Sequence, residues 1–176
     1  MKKSLIATAL IIGGFATSAV SADDGQINFV GEITDAACTI VNDMANPLEV
    51  TLGTVSRTSL DGAAGKTAAP TAFNIQLENC PPALEGAAAQ VKFDGLSANG
   101  DNTALALTAD TDVATGVGVQ ISDSQNKVVP LFTSSSAYTL TAGDNNLPFV
   151  ARYLAIADVV TAGPANSTTN FTIVYN

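Results

Sequence analysis

The sequence contains no histidine and no tryptophan, and only two cysteines, Cys38 and Cys80. Without histidine a Ser–His–Asp arrangement is excluded. Two thiols alone do not complete a zinc site, and no cofactor motif stands elsewhere. Basic residues are scarce: Lys and Arg number 7 against 16 Asp and Glu, and they form no cluster. Nucleic acid and anionic membrane surfaces are therefore poor partners. A bilayer-spanning helix needs about 20 consecutive apolar residues. No segment after residue 22 offers that run, and the shorter run before it is of another kind.

Residues 1–22 read as a secretory signal peptide. Lys2 and Lys3 open it, an apolar run from Leu5 to Phe15 follows, and Ala19-Val20-Ser21-Ala22 closes it in small residues. Removing it takes the formal charge from −9 to −11, since two lysines go with it. An exported chain with one cysteine pair reads as carrying one disulfide, Cys38–Cys80. The closed loop of about 43 residues is worth about 4 kcal/mol in the chain-entropy model.

What fills the chain is two-residue alternation. Residues 23–38, DDGQINFVGEITDAAC, place Gly25, Ile27, Phe29, Gly31 and Ile33 on one side of an extended strand. Gln26, Asn28, Val30 and Glu32 take the other side. Such a leading strand can pair in its own fold or in another molecule's. Leu48-Glu49-Val50-Thr51-Leu52-Gly53 and Phe73–Cys80 alternate in the same way. Residues 54–70 read as a loop with one short helical turn, and Ala83–Ala89 as the best short helix. Further strands are expected at Gln90–Leu96, Ala104–Thr108, Gly116–Ser122, Lys127–Leu131, Ala137–Leu140, Asn146–Ile156 and Thr169–Tyr175. Turn signals separate them, at Asn99-Gly100-Asp101, Gly143-Asp144-Asn145 and Gly163-Pro164. Short strands at this spacing suggest an all-β sandwich or barrel. Phe171, Ile173 and Tyr175 share one face of the last strand, so both ends of the exported chain alternate. A sandwich needing one more strand at that edge would take it from another molecule; an ordinary closed sandwich would look much the same.

Catalytic and binding motifs are thin. Leu60–Thr67 resembles a phosphate loop, but leucine stands where the first glycine belongs. Ser134-Ser135-Ser136 reads as a loop. Asp110 and Asp112 read as a solvated acidic turn with too few ligands for calcium. Arg152 reads as a solvated or ion-paired strand residue. Asn166-Ser167-Thr168 and Asn170-Phe171-Thr172 match glycan acceptors, and both matches are discounted.

Taken in order, INFVGEITDAAC (27–38), FNIQLENC (73–80), GVGVQI (116–121), LPFVARY (147–153) and AGPANSTTNFTIVY (162–175) make the chain resemble the structural subunits of chaperone–usher fimbriae, in particular the type 1-like major pilin. Two family marks are present: an aromatic in the penultimate position, Tyr175, and a glycine fourteenth from the end, Gly163. The resemblance implies an incomplete immunoglobulin-like sandwich of six strands, lacking the seventh. A donor strand from a periplasmic chaperone, and then from a neighbouring subunit at the outer-membrane usher, completes it. It implies a donor extension over 23–36, with Gly25, Ile27, Phe29 and Gly31 facing the neighbour's groove, and a pilin domain over 37–176. The C-terminal strand, with Gly163, Phe171, Ile173, Tyr175 and Asn176, would border the groove, and the chaperone would anchor the carboxylate of Asn176. The implied function is a homopolymeric shaft subunit of an adhesive surface fimbrium, and not an enzyme. A minor adaptor or tip-proximal subunit is the alternative.

Overall fold

The structure is a computed structural model that describes residues 24–34 and 36–176; the signal peptide read at 1–22 lies outside the described residues. The chain divides into two units, Met1–Ile33 and Thr34–Asn176. In the first, residues 24–33 enter no β-ladder. Gln26 Nε2 donates to Asn28 Oδ1 at 2.8 Å, so two side chains two residues apart share a side, as an extended backbone requires. Ile27, Phe29, Val30 and Ile33 are exposed, Phe29 at 93%.

The second unit is all-β. Its strands are β1 (Thr39–Ile40), β2 (Thr67–Cys80), β3 (Ala88–Asp94), β4 (Val117–Asp123), β5 (Tyr138–Thr139), β6 (Gly143–Ala155) and β7 (Asn170–Tyr175). They form a four-stranded sheet in the order β1-β2-β6-β4 and a three-stranded sheet in the order β5-β3-β7. Every named pairing is antiparallel. Ile75 and Leu77 of β2, Val91 and Phe93 of β3, and Leu147, Phe149 and Ala151 of β6 are buried, each on its strand's inward face. Phe149 is the hinge of this core. Its ring stacks on Phe73 at 5.7 Å and meets the edge of Phe93, from the other sheet, at 5.2 Å. Tyr138 of β5 lies 5.6 Å from it. Offset and edge-on aromatic pairs are worth about 0.5–1.5 kcal/mol beyond their area. Cys38 and Cys80 are joined by a disulfide, and it binds the start of β1 to the end of β2.

Several sequence expectations are corrected. β2 begins at Thr67, inside the expected loop, and runs past Pro70. A register shift between Ala68 and Thr71 leaves the proline unpaired, the arrangement in which a strand tolerates a missing N–H. Ala83–Ala89 is no helix: a short 3-10 turn covers Pro82–Leu84, and Ala88 already belongs to β3. The strands expected at 104–108 and 127–131 reduce to isolated bridges, Leu105 to Ser97 and to Val119, and Ser122 to Val128. They cover β4, whose residues are all buried. The loop resembling a phosphate site spends its N–H groups internally. Gly62 donates to Asp158 O, Ala64 to Asp158 Oδ1 and Gly65 to Ala155 O. Arg152 makes no ion pair among the described residues; it is half-buried, and its Nη2 donates to Ser122 Oγ at 2.7 Å and Asn126 Oδ1 at 2.9 Å.

Asp123 closes β4 almost fully buried, at 1% exposure. Its Oδ1 accepts from the N–H groups of Gln125 and Lys127 at 3.0 Å, and Oδ2 from Ser136 N–H at 3.2 Å. Burial pushes this carboxyl up, but the hydrogen bonds from Ser136, Lys127 and Gln125 outweigh it and hold it below its ordinary value. A depressed folded value stabilises the native state above the unfolded value of about 4, and the contribution is lost as pH falls through the folded value. Acid unfolding followed by circular dichroism should therefore be shallower below about pH 4 in Asp123→Asn than in the parent.

Candidate functional site: an open groove

Between the edges of the two sheets lies a groove of about 970 Å³. One wall is residues 47–53. The other is 165–171, the approach to β7 and its first turn of chain. The floor is the core itself: Phe73 and Ile75 of β2, Phe93 of β3, Val119 and Ile121 of β4, and Ala151 and Tyr153 of β6. A second cavity of about 340 Å³ continues it, sharing Gly53, Tyr153, Ala165 and Asn166 and reaching Leu60, Val160 and Gly163.

Residues 48–53 alternate as the sequence promised, with Leu48, Val50 and Leu52 on one face, and Val50 and Leu52 pack on the core. Yet they join no ladder. Among the described residues, no backbone–backbone hydrogen bond involves 47–55. The wall's link to the floor is the hydroxyl of Tyr153, which donates to Gly53 O at 3.5 Å. Burial raises that phenol above its ordinary value, so it stays a proton donor.

The opposite wall has a matching set of free groups. Asn176 and Ala88 exchange both of their backbone bonds, Asn176 N–H to Ala88 O at 2.8 Å and Ala88 N–H to Asn176 O at 3.0 Å. In an antiparallel ladder such pairs alternate with pairs whose N–H and C=O point away. The register therefore sends Val174 and Thr172 toward Gln90 and Lys92. The backbone groups of Phe171, Ile173 and Tyr175 point instead to the open edge. Their side chains turn inward and lie half-buried against the core. A row of unpaired strand groups beside a groove lined with apolar side chains is a template for one more strand.

The remaining sequence-selected residues fall at the ends of this groove. Tyr175 Oη accepts from Cys38 N–H at 3.2 Å, which ties the end of β7 to the approach to β1 beside the disulfide. Asn176 also donates from Nδ2 to Gln90 Oε1 at 2.9 Å. At the other end Gly163 lies against another stretch of backbone. A Cβ there would overlap the Asp112 carbonyl oxygen and stand 2.6 Å from Ala114 N. The pairing of Ala114 N–H with Pro164 O at 2.9 Å depends on this approach. Gly163→Ala should push residues 163–165 off the 112–114 loop and destabilise the domain by about 1–3 kcal/mol, the usual cost of overpacking, read as a lowered midpoint in urea. Gly25, Ile27, Phe29 and Gly31 belong to the first unit, described above. Tyr153 and Gly53 were missed in the sequence, because nothing in a Tyr within an apolar strand marks it as the floor of a groove.

The family model described as Fimbrial protein matches residues 27–176. The chain belongs to the fimbrial protein family. Long polar fimbria protein A of Salmonella typhimurium is 36% identical over 176 residues, covering 99% of this chain and 97% of that one. A crystal structure of an antigen and type I fimbria protein of Burkholderia pseudomallei is 39% identical, with a TM-score of 0.60, covering 85% of this chain and 96% of that one. A chaperone–usher pilus structure described in terms of rod uncoiling matches with a TM-score of 0.64 at 24% identity, covering 90% of this chain and 99% of that one. The fimbrial subunit thus has the immunoglobulin-like fold of chaperone–usher pilins, lacking a strand, as the resemblance implied. It is a structural subunit and not an enzyme, and it is exported to the cell surface as part of a fimbrium. No helix among the described residues is long and apolar enough to cross a membrane.

Proposed function

We propose that this fimbrial subunit is the polymerising shaft subunit of a chaperone–usher fimbrium, and that it assembles by donating residues 23–36 to the groove of the next copy. One observation carries the reading: an apolar groove between residues 47–53, which join no ladder, and the open edge of β7. Filling it with a strand satisfies the edge of β7 and covers Leu48, Phe73 and Phe171, which line the groove and are still exposed or half-buried. The extension offers the matching pattern, with Gly25, Ile27, Phe29 and Gly31 on one face. Before assembly a periplasmic chaperone supplies the strand, and it anchors the terminal carboxylate of Asn176. At the outer-membrane usher the neighbour's extension replaces it. Residues 1–22 are the signal peptide removed on export, and 37–176 are the domain that carries the groove. Head-to-tail donation does not close on itself, so it builds a filament.

The test is the composition of filaments sheared from cells that produce the chain. A shaft subunit is the main band. A trace amount beside another main band would overturn the shaft assignment in favour of an adaptor or tip-proximal subunit.

A further inference from the structure

Among the described residues, the large apolar side chains left exposed on the domain are Met44, Leu48, Leu96, Phe132 and Val159. Met44 and Leu48 line the groove, so a strand placed there accounts for them. The other three share one end of the sandwich, where β3 stops and β4 and β7 begin. Leu96 follows the end of β3 by two residues. Phe132 N–H donates to Phe93 O at 2.8 Å, one residue short of that end. A Cβ on Gly116, just before β4, would overlap Val159 O. Phe132 is held at a cost. It is 53% exposed, yet its φ is +65°, a region that a bulky side chain enters only under strain. Burial in its own core does not repay that strain, which points to a use outside the domain.

The opposite end of the sandwich carries the root of the extension. Cys38 is bonded to Cys80 there, Cys80 pairs with Gly143, and Ala88 pairs with Asn176. The turns at this end expose Pro82, Ala83, Thr141 and Ala142. Every named ladder of the domain is antiparallel, the more stable arrangement. A strand that fills the groove antiparallel to β7 enters beside Tyr175 and leaves beside Asn170. Residues 32–36 then separate its Gly31 from the donor's domain, and they reach at most about 20 Å. The donor is thereby held with its root end facing the end of the acceptor that carries Leu96, Phe132 and Val159.

We propose that Leu96, Phe132 and Val159 form a second contact between consecutive copies, packing on the turns 81–86 and 141–144 of the copy that donates its extension. The inference rests on the strand-capture reading above. The captured strand supplies the link, and this contact fixes how one domain sits on the next. Pro82, Ala83 and Ala142 suit the task, since a ring can cover them without stranding a charge.

The experiment irradiates filaments assembled by cells from the full chain carrying Phe132→benzoylphenylalanine, an aromatic that cross-links on illumination. The expected result is a covalent dimer that survives boiling in SDS, with residue 132 joined to 81–86 or 141–144 of another copy. Cross-links confined to one chain, to other segments of a neighbour or to a different protein overturn the proposal. A second variant, Phe132→Gly, separates assembly from folding, because glycine adopts φ +65° without strain. Its free subunit should keep the parent's urea midpoint, while its filaments fall apart in urea at least about tenfold faster, as expected for one lost aromatic contact. A lowered midpoint with filaments that dissociate at the parent's rate would make Phe132 a packing residue of its own domain, and would overturn the contact. Parent filaments that give no SDS-resistant ladder before heating sink the strand-capture reading, and this inference with it; a ladder without the cross-link sinks this inference alone.

Discussion

Chains carrying Ile27→Asp and Phe29→Asp are expected to keep the Cys38–Cys80 bond, yet to give no SDS-resistant multimers on an unheated gel where the parent gives a ladder. Both residues are exposed in the first unit, so the substitutions remove no core contact from the domain. Their effect falls on the copy that would receive the strand. Losing burial of an Ile and a Phe costs about 1.5–3 kcal/mol each, a factor of about 10²–10⁴ in affinity. Two carboxylates facing Phe73, Ile75 and Phe93 add an unpaired-charge penalty of several kcal/mol. A ladder of undiminished intensity from the variant would show that the extension does not seat through these two side chains.

Phe149→Ala is expected to destabilise the domain by about 3–5 kcal/mol, the range for emptying an aromatic from a core. Phe149 is 1% exposed and touches Phe73 on its own sheet, Phe93 on the facing sheet and Tyr138 at the sandwich's edge. The cavity has little means of collapse, because the disulfide fixes β1 to β2 within one sheet and the Cys38–Tyr175 hydrogen bond ties that end to β7 of the other. A domain that lacks a strand has a thin margin against a typical stability of about 5–15 kcal/mol. Urea unfolding of purified chain should show the midpoint collapse, and a loss below about 1 kcal/mol would contradict the place given to this ring.

Alternation made the paired strands readable. Phe73, Ile75 and Leu77 point inward as their spacing demands, and so do Phe171, Ile173 and Tyr175, because period two is a property of the backbone and needs no knowledge of neighbours. What period two cannot encode is whether a partner is present. Leu48, Val50 and Leu52 read like any half-buried strand, and only in the fold do residues 47–55 stand without a ladder. The bulge at Pro70 was hidden for a related reason: a proline reads as an end, and its tolerance depends on a register shift set by β6. The 3-10 turn at Pro82–Leu84 was overread as a helix from its alanines, whose helical propensity loses to the pairing of Ala88 and Ala89 with β5 and β7. Gly163 and Tyr175 were legible as family marks, but the reasons for them lie in the fold. One is a backbone contact with residues 112–114, and the other a hydroxyl that meets Cys38.

The most direct measurement is residue-resolved amide hydrogen exchange of the free subunit beside the assembled filament. The N–H groups of Phe171, Ile173 and Tyr175 should exchange freely in the subunit and become protected in the filament. Those of Thr172 and Val174, already bonded to β3, should be protected in both. Equal exchange of Phe171, Ile173 and Tyr175 in the two states would mean that no strand fills the groove, and would contradict assembly by strand donation.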